Sequence, residues 1–247
     1  MNIRQYLDST YLKTPSQAGI TESESIQVAK EYIQEAISEH FKLIMIRPDR
    51  VALAKEIIDE AHSNVQIGTV IGFPEGTASI EEKLKEANQA IQDGADDLDF
   101  VCNYEAFKND DLALVKNEIL AGTALGLKNN KVVKWIIEVA AFNETQIIQL
   151  SALIKNIVIS NFEEEDYASV FVKSSTGFYK TENNLPNGAT IPTITLMLEN
   201  ASPLPVKAAG GVRTYEEAVE MIRLGVKRIG TSGAKAIANG ENTQIEY

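Results

Sequence analysis

The chain has 247 residues, 44% hydrophobic and 23% charged, which suits one large soluble core, and it holds no run of the ~18 apolar residues that a membrane-spanning helix needs. A formal net charge of −12 argues against nucleic acid as the main partner, because a polyanion needs a basic surface, yet a few local donors can still hold a small anion. A single cysteine, Cys102, rules out an intrachain disulfide, and two histidines, His40 and His62, give poor support to a Ser-His-Asp triad or a multi-histidine zinc site.

Taken in chain order, short apolar runs alternate with amphipathic ones. The stretch Met1–Asp8 is polar, so no signal peptide is expected and a reducing cytoplasm is the default location. A first strand is expected at Tyr6–Ser9. Thr21 with Glu24 then fits a capping box, in which reciprocal side-chain bonds satisfy orphan amides at a helix start. Strands follow at Lys42–Ile46 and Gln66–Ile71. Ser79 with Glu82 opens a helix whose apolar face is Ile80, Leu84, Ala87 and Ile91, and Gly94 stops it. Strands are next expected at Asp96–Val101 and Val133–Glu138, and a helix from about Glu144 to Val158.

The strand Ser169–Lys173 leads into an irregular stretch, Gly177–Gly188. A strand at Val206–Ala208 precedes the capping box of Thr214 and Glu217, whose helix carries Ala218, Met221 and Ile222 and ends at Gly225. Arg228–Gly230 is the last strand, and residues from about 240 to 247 read as a flexible tail. Eight such strands, most followed by helices, predict an α/β fold: a single-domain (β/α)8 TIM barrel spanning 1–247. An open doubly wound sheet is the competitor, but Tyr6–Pro15 lacks the glycine-rich turn that fold places after its first strand.

Lys173 ends the apolar strand Ser-Val-Phe-Val-Lys, where a charge is costly unless it has partners or a role. Lys207 stands in the same place one βα repeat later (207 − 173 = 34), and Lys134 lies on the preceding strand. Two lysines at the ends of adjacent strands, partly buried, disfavour the ammonium form and leave one amine able to attack a carbonyl. The plainer alternative is lysines reaching out to solvent; the set of three, with Lys134 at the start of its strand, favours chemistry. In Asp96-Asp97-Leu98-Asp99, alternation puts Asp97 and Asp99 on one face. Asp99 is the candidate acid–base partner, and a structural ion pair at the rim is the equally open alternative.

Gly210-Gly211-Val212-Arg213 follows the seventh strand and Gly230-Thr231-Ser232-Gly233 the eighth. Loops at these two places of a barrel are where phosphate is bound, and glycines let backbone amides approach an anion.

Several stretches carry a family resemblance across nearly the whole length: Asp8-Ser-Thr-Tyr-Leu-Lys13, Thr69-Val-Ile-Gly-Phe-Pro74, Gly94-Ala-Asp-Asp-Leu-Asp99, Lys134-Trp-Ile-Ile-Glu138, Phe171-Val-Lys-Ser-Ser-Thr-Gly177, Val206-Lys-Ala-Ala-Gly-Gly-Val-Arg-Thr214 and Arg228-Ile-Gly-Thr-Ser232. The chain resembles the deoxyribose-phosphate aldolases, class I (Schiff-base) enzymes. The resemblance implies reversible cleavage of 2-deoxy-D-ribose 5-phosphate to D-glyceraldehyde 3-phosphate and acetaldehyde, with no metal and no organic cofactor. It implies Lys173 as the Schiff-base nucleophile, Lys207 as the group that perturbs and assists it, and Asp99 in a proton relay. Thr10, Lys134, Gly177, Gly210, Gly211, Gly230 and Ser232 are the expected substrate contacts, with Asp8, Arg213 and Tyr247 as further candidates. A terminal tyrosine assists proton transfer at the enamine carbon in some relatives.

The expected partners are therefore a small phosphorylated sugar and aldehydes, with neither nucleic acid nor membrane, and a homodimer is an assembly open to the chain. It departs from the family at Ser9, Met45 and Phe178, where relatives often carry His, Cys and Lys; whether Lys180 supplies the missing cation is left open. Rival readings are another Schiff-base aldolase of a phosphorylated aldol, a sugar-phosphate-binding protein without catalysis, and a metal-dependent lyase.

Overall fold

A computed structural model describes residues 2–182 and 185–241. Eight parallel strands pair in sequence order and the first closes on the last: β1 (Leu7–Tyr11), β2 (Leu43–Ile46), β3 (Gln66–Ile71), β4 (Asp97–Val101), β5 (Val132–Ile136), β6 (Val170–Lys173), β7 (Val206–Ala209) and β8 (Arg228–Thr231). The expected (β/α)8 barrel is the fold.

A helix follows each strand: α1 (Glu22–Ser38), α2 (Val51–Glu60), α3 (Ile80–Gln92), α4 (Leu112–Lys128), α5 (Glu144–Asn161), α6 (Ile191–Ala201), α7 (Tyr215–Leu224) and α8 (Ala234–Ala238). The capping boxes expected at Thr21, Ser79 and Thr214 are formed, each hydroxyl accepting the amide three residues on. His40 and His62 sit just past the ends of α1 and α2 with φ of 54° and 49°, as turn residues.

Most strand ends fall within one residue of expectation, and two strands differ by more. Ile3–Tyr6 forms a 3-10 turn, so β1 starts one residue late and runs on to Tyr11, carrying Thr10 into the barrel wall. The other, β5, stops at Ile136, because Glu138 adopts the left-handed conformation with φ 55° and opens a short 3-10 turn.

The strands are buried on both faces, and the two faces differ in kind. Leu98, Phe100, Val133, Trp135, Val170, Val172, Val206, Ala208 and Ile229 join the continuous apolar core that the helices cover. Residues of the opposite parity face the barrel interior. Toward β2 and β3 they are apolar, with Leu43, Met45 and Val70 packed beside Leu12. From β4 round to β1 they are Asp97, Asp99, Lys134, Lys173, Lys207, Arg228 and Asp8, all buried. A barrel half filled with charge is unusual enough to call for a function.

Candidate active site

Asp99 is the hub of the interior. It has no exposed surface, and its Oδ2 accepts from Lys173 Nζ at 2.9 Å and from Lys207 Nζ at 2.9 Å, while Oδ1 accepts from Lys134 Nζ at 2.8 Å. Strand register explains the convergence: Lys134 is opposite Asp99 on the next strand, and Lys173 is paired with Lys207. Burial alone would drive the Asp99 carboxyl up, but Lys134, Lys173 and Lys207 together override it and hold the group well below the usual carboxylate range. Asp99 is thus an ionised acceptor for three amines.

The three lysines are not equivalent. Lys134 is fully buried and also donates to Asp97 at 2.6 Å, and despite burial these carboxylates raise its pKa, so it stays an ammonium. Lys207 lies between Asp99 and Asp8, whose Oδ2 is 2.6 Å from its Nζ. Among the described residues, Lys173 donates only to the Asp99 oxygen that Lys207 shares. Burial lowers its pKa to about 8, with Lys207 and Lys134 adding to the depression and Asp99 opposing it. One amine of the cluster therefore gives up its proton readily, about a tenth of molecules carrying it neutral at pH 7, and it is the one at the strand end. Like charge and partial burial are both expected from the sequence, and burial is the larger cause.

Of the other expected positions, Asp8 is fully buried and accepts from Arg228 Nε at 2.8 Å. The Thr10 hydroxyl donates to the Asp8 carbonyl at 2.9 Å. Gly177, Gly211, Arg213 and Ser232 lie together on a cavity of about 760 Å³ that also meets Thr231 and the loop leading into α6. Gly211 takes φ 90° there, and its neighbour Gly210 takes φ 76° with the backbone of Gly188 against it. The Gly177 amide donates to Ser175 Oγ at 2.9 Å, and the Arg213 amide to Glu217 at 2.7 Å.

Gly230 stands apart from the cavity: a Cβ built on it would meet Lys207 Cε at 3.2 Å, so its bareness makes room for that lysine. Phe178 packs edge-on against Phe73 with ring centroids 5.1 Å apart, closing over the apolar half of the barrel, and Lys180 is exposed. Tyr247 lies outside the described residues, as do Asn183, Asn184 and the tail from 242.

Sequence reading missed three members of the network. Arg228 and Asp97 share the buried interior, with Arg228 3.6 Å from Asp97. Both could have been found by the signal that found Lys173, a charge inside a short apolar strand. Glu138 was hidden inside an overextended strand; it is 1% exposed and its Oε2 accepts the amide and hydroxyl of Thr176.

A buried amine of lowered pKa beside an ionised carboxylate, on a strand whose following segment lines a cavity at Gly177, is suited to imine chemistry on a small phosphorylated carbonyl compound. Residues 5–240 match the family described as DeoC/LacD family aldolase. A deoxyribose-phosphate aldolase of Thermococcus kodakarensis is 37% identical over 239 residues, 96% of each chain. One from Streptococcus pneumoniae is 35% identical over 248 residues, the full length of both. Among solved structures, a tetrameric deoxyribose phosphate aldolase from Aeropyrum pernix superposes with a TM-score of 0.76 at 26% identity, covering 96% of this chain and 89% of that one. Fold, interior chemistry and full-length similarity agree, and the chain belongs to the DeoC/LacD family of aldolases.

Proposed function

We propose that this chain cleaves 2-deoxy-D-ribose 5-phosphate reversibly to D-glyceraldehyde 3-phosphate and acetaldehyde, with Lys173 as the Schiff-base nucleophile. The observation that carries the reading is the single unevenly shared carboxylate. Asp99 shares one oxygen between Lys173 and Lys207 and gives the other to Lys134, and burial leaves Lys173 with a pKa of about 8. The neutral Lys173 amine adds to the C1 aldehyde, and loss of water gives a protonated imine. Deprotonation of the C3 hydroxyl breaks the C2–C3 bond, the imine takes the electron pair, and D-glyceraldehyde 3-phosphate leaves. The enamine is then protonated at C2, and hydrolysis returns acetaldehyde and the free amine.

Lys207 and Asp99 form the proton relay, since Asp99 Oδ2 touches both Nζ atoms at 2.9 Å. The phosphate is assigned to the cavity beside Gly177, Gly211, Arg213 and Ser232. Thr10 and Lys134 contact the substrate in this reading, Gly210 packs bare against Gly188, which lines the cavity, and Gly230 leaves room for Lys207. Tyr247 is a candidate proton donor to the enamine in this reading.

No helix among the described residues is long and apolar enough to cross a membrane. The buried free Cys102 fits a reducing cytoplasm, and a homodimer is the simplest symmetric assembly. The deciding assay measures acetaldehyde and triose phosphate release from 2-deoxyribose 5-phosphate beside ketose phosphates. Release from the deoxy sugar alone is expected; a preference for a ketose phosphate would give the chain to another aldol.

A further inference from the structure

Glu138 stands at the join between the reactive lysine and the cavity. Its backbone is held in the left-handed region, φ 55° and ψ 69°, an unfavourable conformation for a residue with a side chain. Its carboxyl is turned inward onto the segment that follows Lys173. Oε2 accepts the amide of Thr176 at 3.1 Å and also its hydroxyl, and Oε1 lies 2.7 Å from Ser175 Oγ. The same Ser175 oxygen is 2.6 Å from the backbone carbonyl of Asn187 and accepts the Gly177 amide at 2.9 Å.

A serine hydroxyl carries one proton and two lone pairs. If Glu138 is ionised, that proton can serve the carboxylate or the Asn187 carbonyl but not both, and two bare acceptors are left at hydrogen-bond distance. If Glu138 is a neutral acid, every contact is satisfied. Its O–H donates to Ser175 Oγ, which also accepts from Gly177 and gives its own proton to Asn187, while the other carboxyl oxygen keeps both Thr176 donors.

We propose that Glu138 is held as a neutral carboxylic acid and, through the Ser175 hydroxyl, clasps the segment after Lys173 to the loop that enters α6, fixing the cavity wall at Gly177 and Asn187. Glu138 is a positioning residue in this scheme. Burial pushes its carboxyl up, against the pull of the Thr176 and Ser175 donors. The ionisable groups that face it are Lys173, whose ammonium lowers it, and Tyr104 from the short helix Tyr104–Lys108. Release of the Lys173 proton removes the ammonium's pull, so a free amine and a protonated Glu138 favour each other. The Asn187 side chain makes the same bridge a second time, donating to the Gly177 carbonyl at 3.1 Å. As pH rises and the acid loses its proton, Ser175 must turn to the carboxylate, and Asn187 loses its donor.

The effect on substrate rests on the aldolase reading above; the protonation does not. The first test is infrared difference spectroscopy of the unliganded enzyme at pH 7, wild type against Glu138→Gln. A protonated-carboxyl C=O band present in wild type and missing in the variant is expected, and its absence from wild type overturns the proposal. The second test compares KM across pH. In wild type, KM for the phosphorylated sugar rises at high pH. Glu138→Gln, whose amide donates where the acid does but cannot titrate, flattens that rise. Ser175→Ala raises KM for 2-deoxyribose 5-phosphate about tenfold more than for unphosphorylated 2-deoxyribose, the loss of one well-made hydrogen bond. Equal effects on both sugars, or a Glu138→Gln profile that still rises, would remove the clasp. Should the enzyme cleave neither sugar, calorimetric binding of inorganic phosphate to the same variants reads the cavity wall directly. The aldolase reading then fails alone.

Discussion

Inside the barrel the carboxylates of Asp8, Asp97 and Asp99 face Lys134, Lys207, Arg228 and Lys173. Lys134, Lys207 and Arg228 each contact two of the carboxylates, whereas Lys173 has only a share of Asp99 Oδ2. The surplus cation is thus the one that loses its proton. Lys207→Leu tests this arrangement. It removes a like charge from Lys173 and frees an Asp99 oxygen for it, and both changes raise the Lys173 pKa. The rising limb of the rate profile, near pH 8 in the wild type, should move to higher pH, and the rate at pH 7 should fall by about 10²-fold or more. An unmoved pH profile at near-normal rate would leave Lys207 a bystander. At this scale much was legible, because a charge at the end of an apolar strand is conspicuous in sequence. Glu138 was not, since only its backbone conformation separates it from the strand it follows.

At the scale of elements, legibility followed the caps. Helices opened by a Thr or Ser with Glu three residues on were found. Helix α2 begins at Val51 with no side-chain cap, and α4 is capped by Asp111 alone. Helix α6 uses a threonine in both halves of its box, so none of the three announces itself. The loops after β7 and β8 were placed from glycine alone, and here pattern could not separate two duties. Gly211 lines the cavity, whereas Gly230 makes space for a lysine. Gly211→Asp should therefore act on phosphate. Its backbone sits at φ 90°, and the new carboxylate would enter the cavity and repel the anion. KM for 2-deoxyribose 5-phosphate should rise about tenfold or more, the factor for roughly 1.4 kcal/mol, while that for unphosphorylated 2-deoxyribose changes much less. Parallel losses in steady-state assays of both sugars would point to a folding defect.

For the whole molecule, burying a lysine to make it reactive has a stability cost. In the folded chain the Lys173 pKa is about 8, depressed from an ordinary 10.5. The folded state thus binds fewer protons than the unfolded one between those two values, so stability from this group rises with pH across that window. Below pH 8 the full cost is present. Lys173→Leu removes it, and Asp99 keeps Lys134 and Lys207 as partners. At pH 7 the variant should be inactive yet more stable by about 1–3 kcal/mol, melting a few degrees higher, with the gain shrinking toward pH 10. Calorimetric melts showing a lower melting temperature at pH 7 would mean that the Asp99 pair outweighs the burial of the ammonium.

The most direct test of the central claim is borohydride reduction of the enzyme in the presence of acetaldehyde, followed by peptide mass spectrometry. One two-carbon adduct on Lys173 is predicted, absent from Lys173→Leu and from enzyme reduced without the aldehyde. An adduct on Lys207 or Lys134, or no adduct on an enzyme that still turns over 2-deoxyribose 5-phosphate, would contradict the assignment.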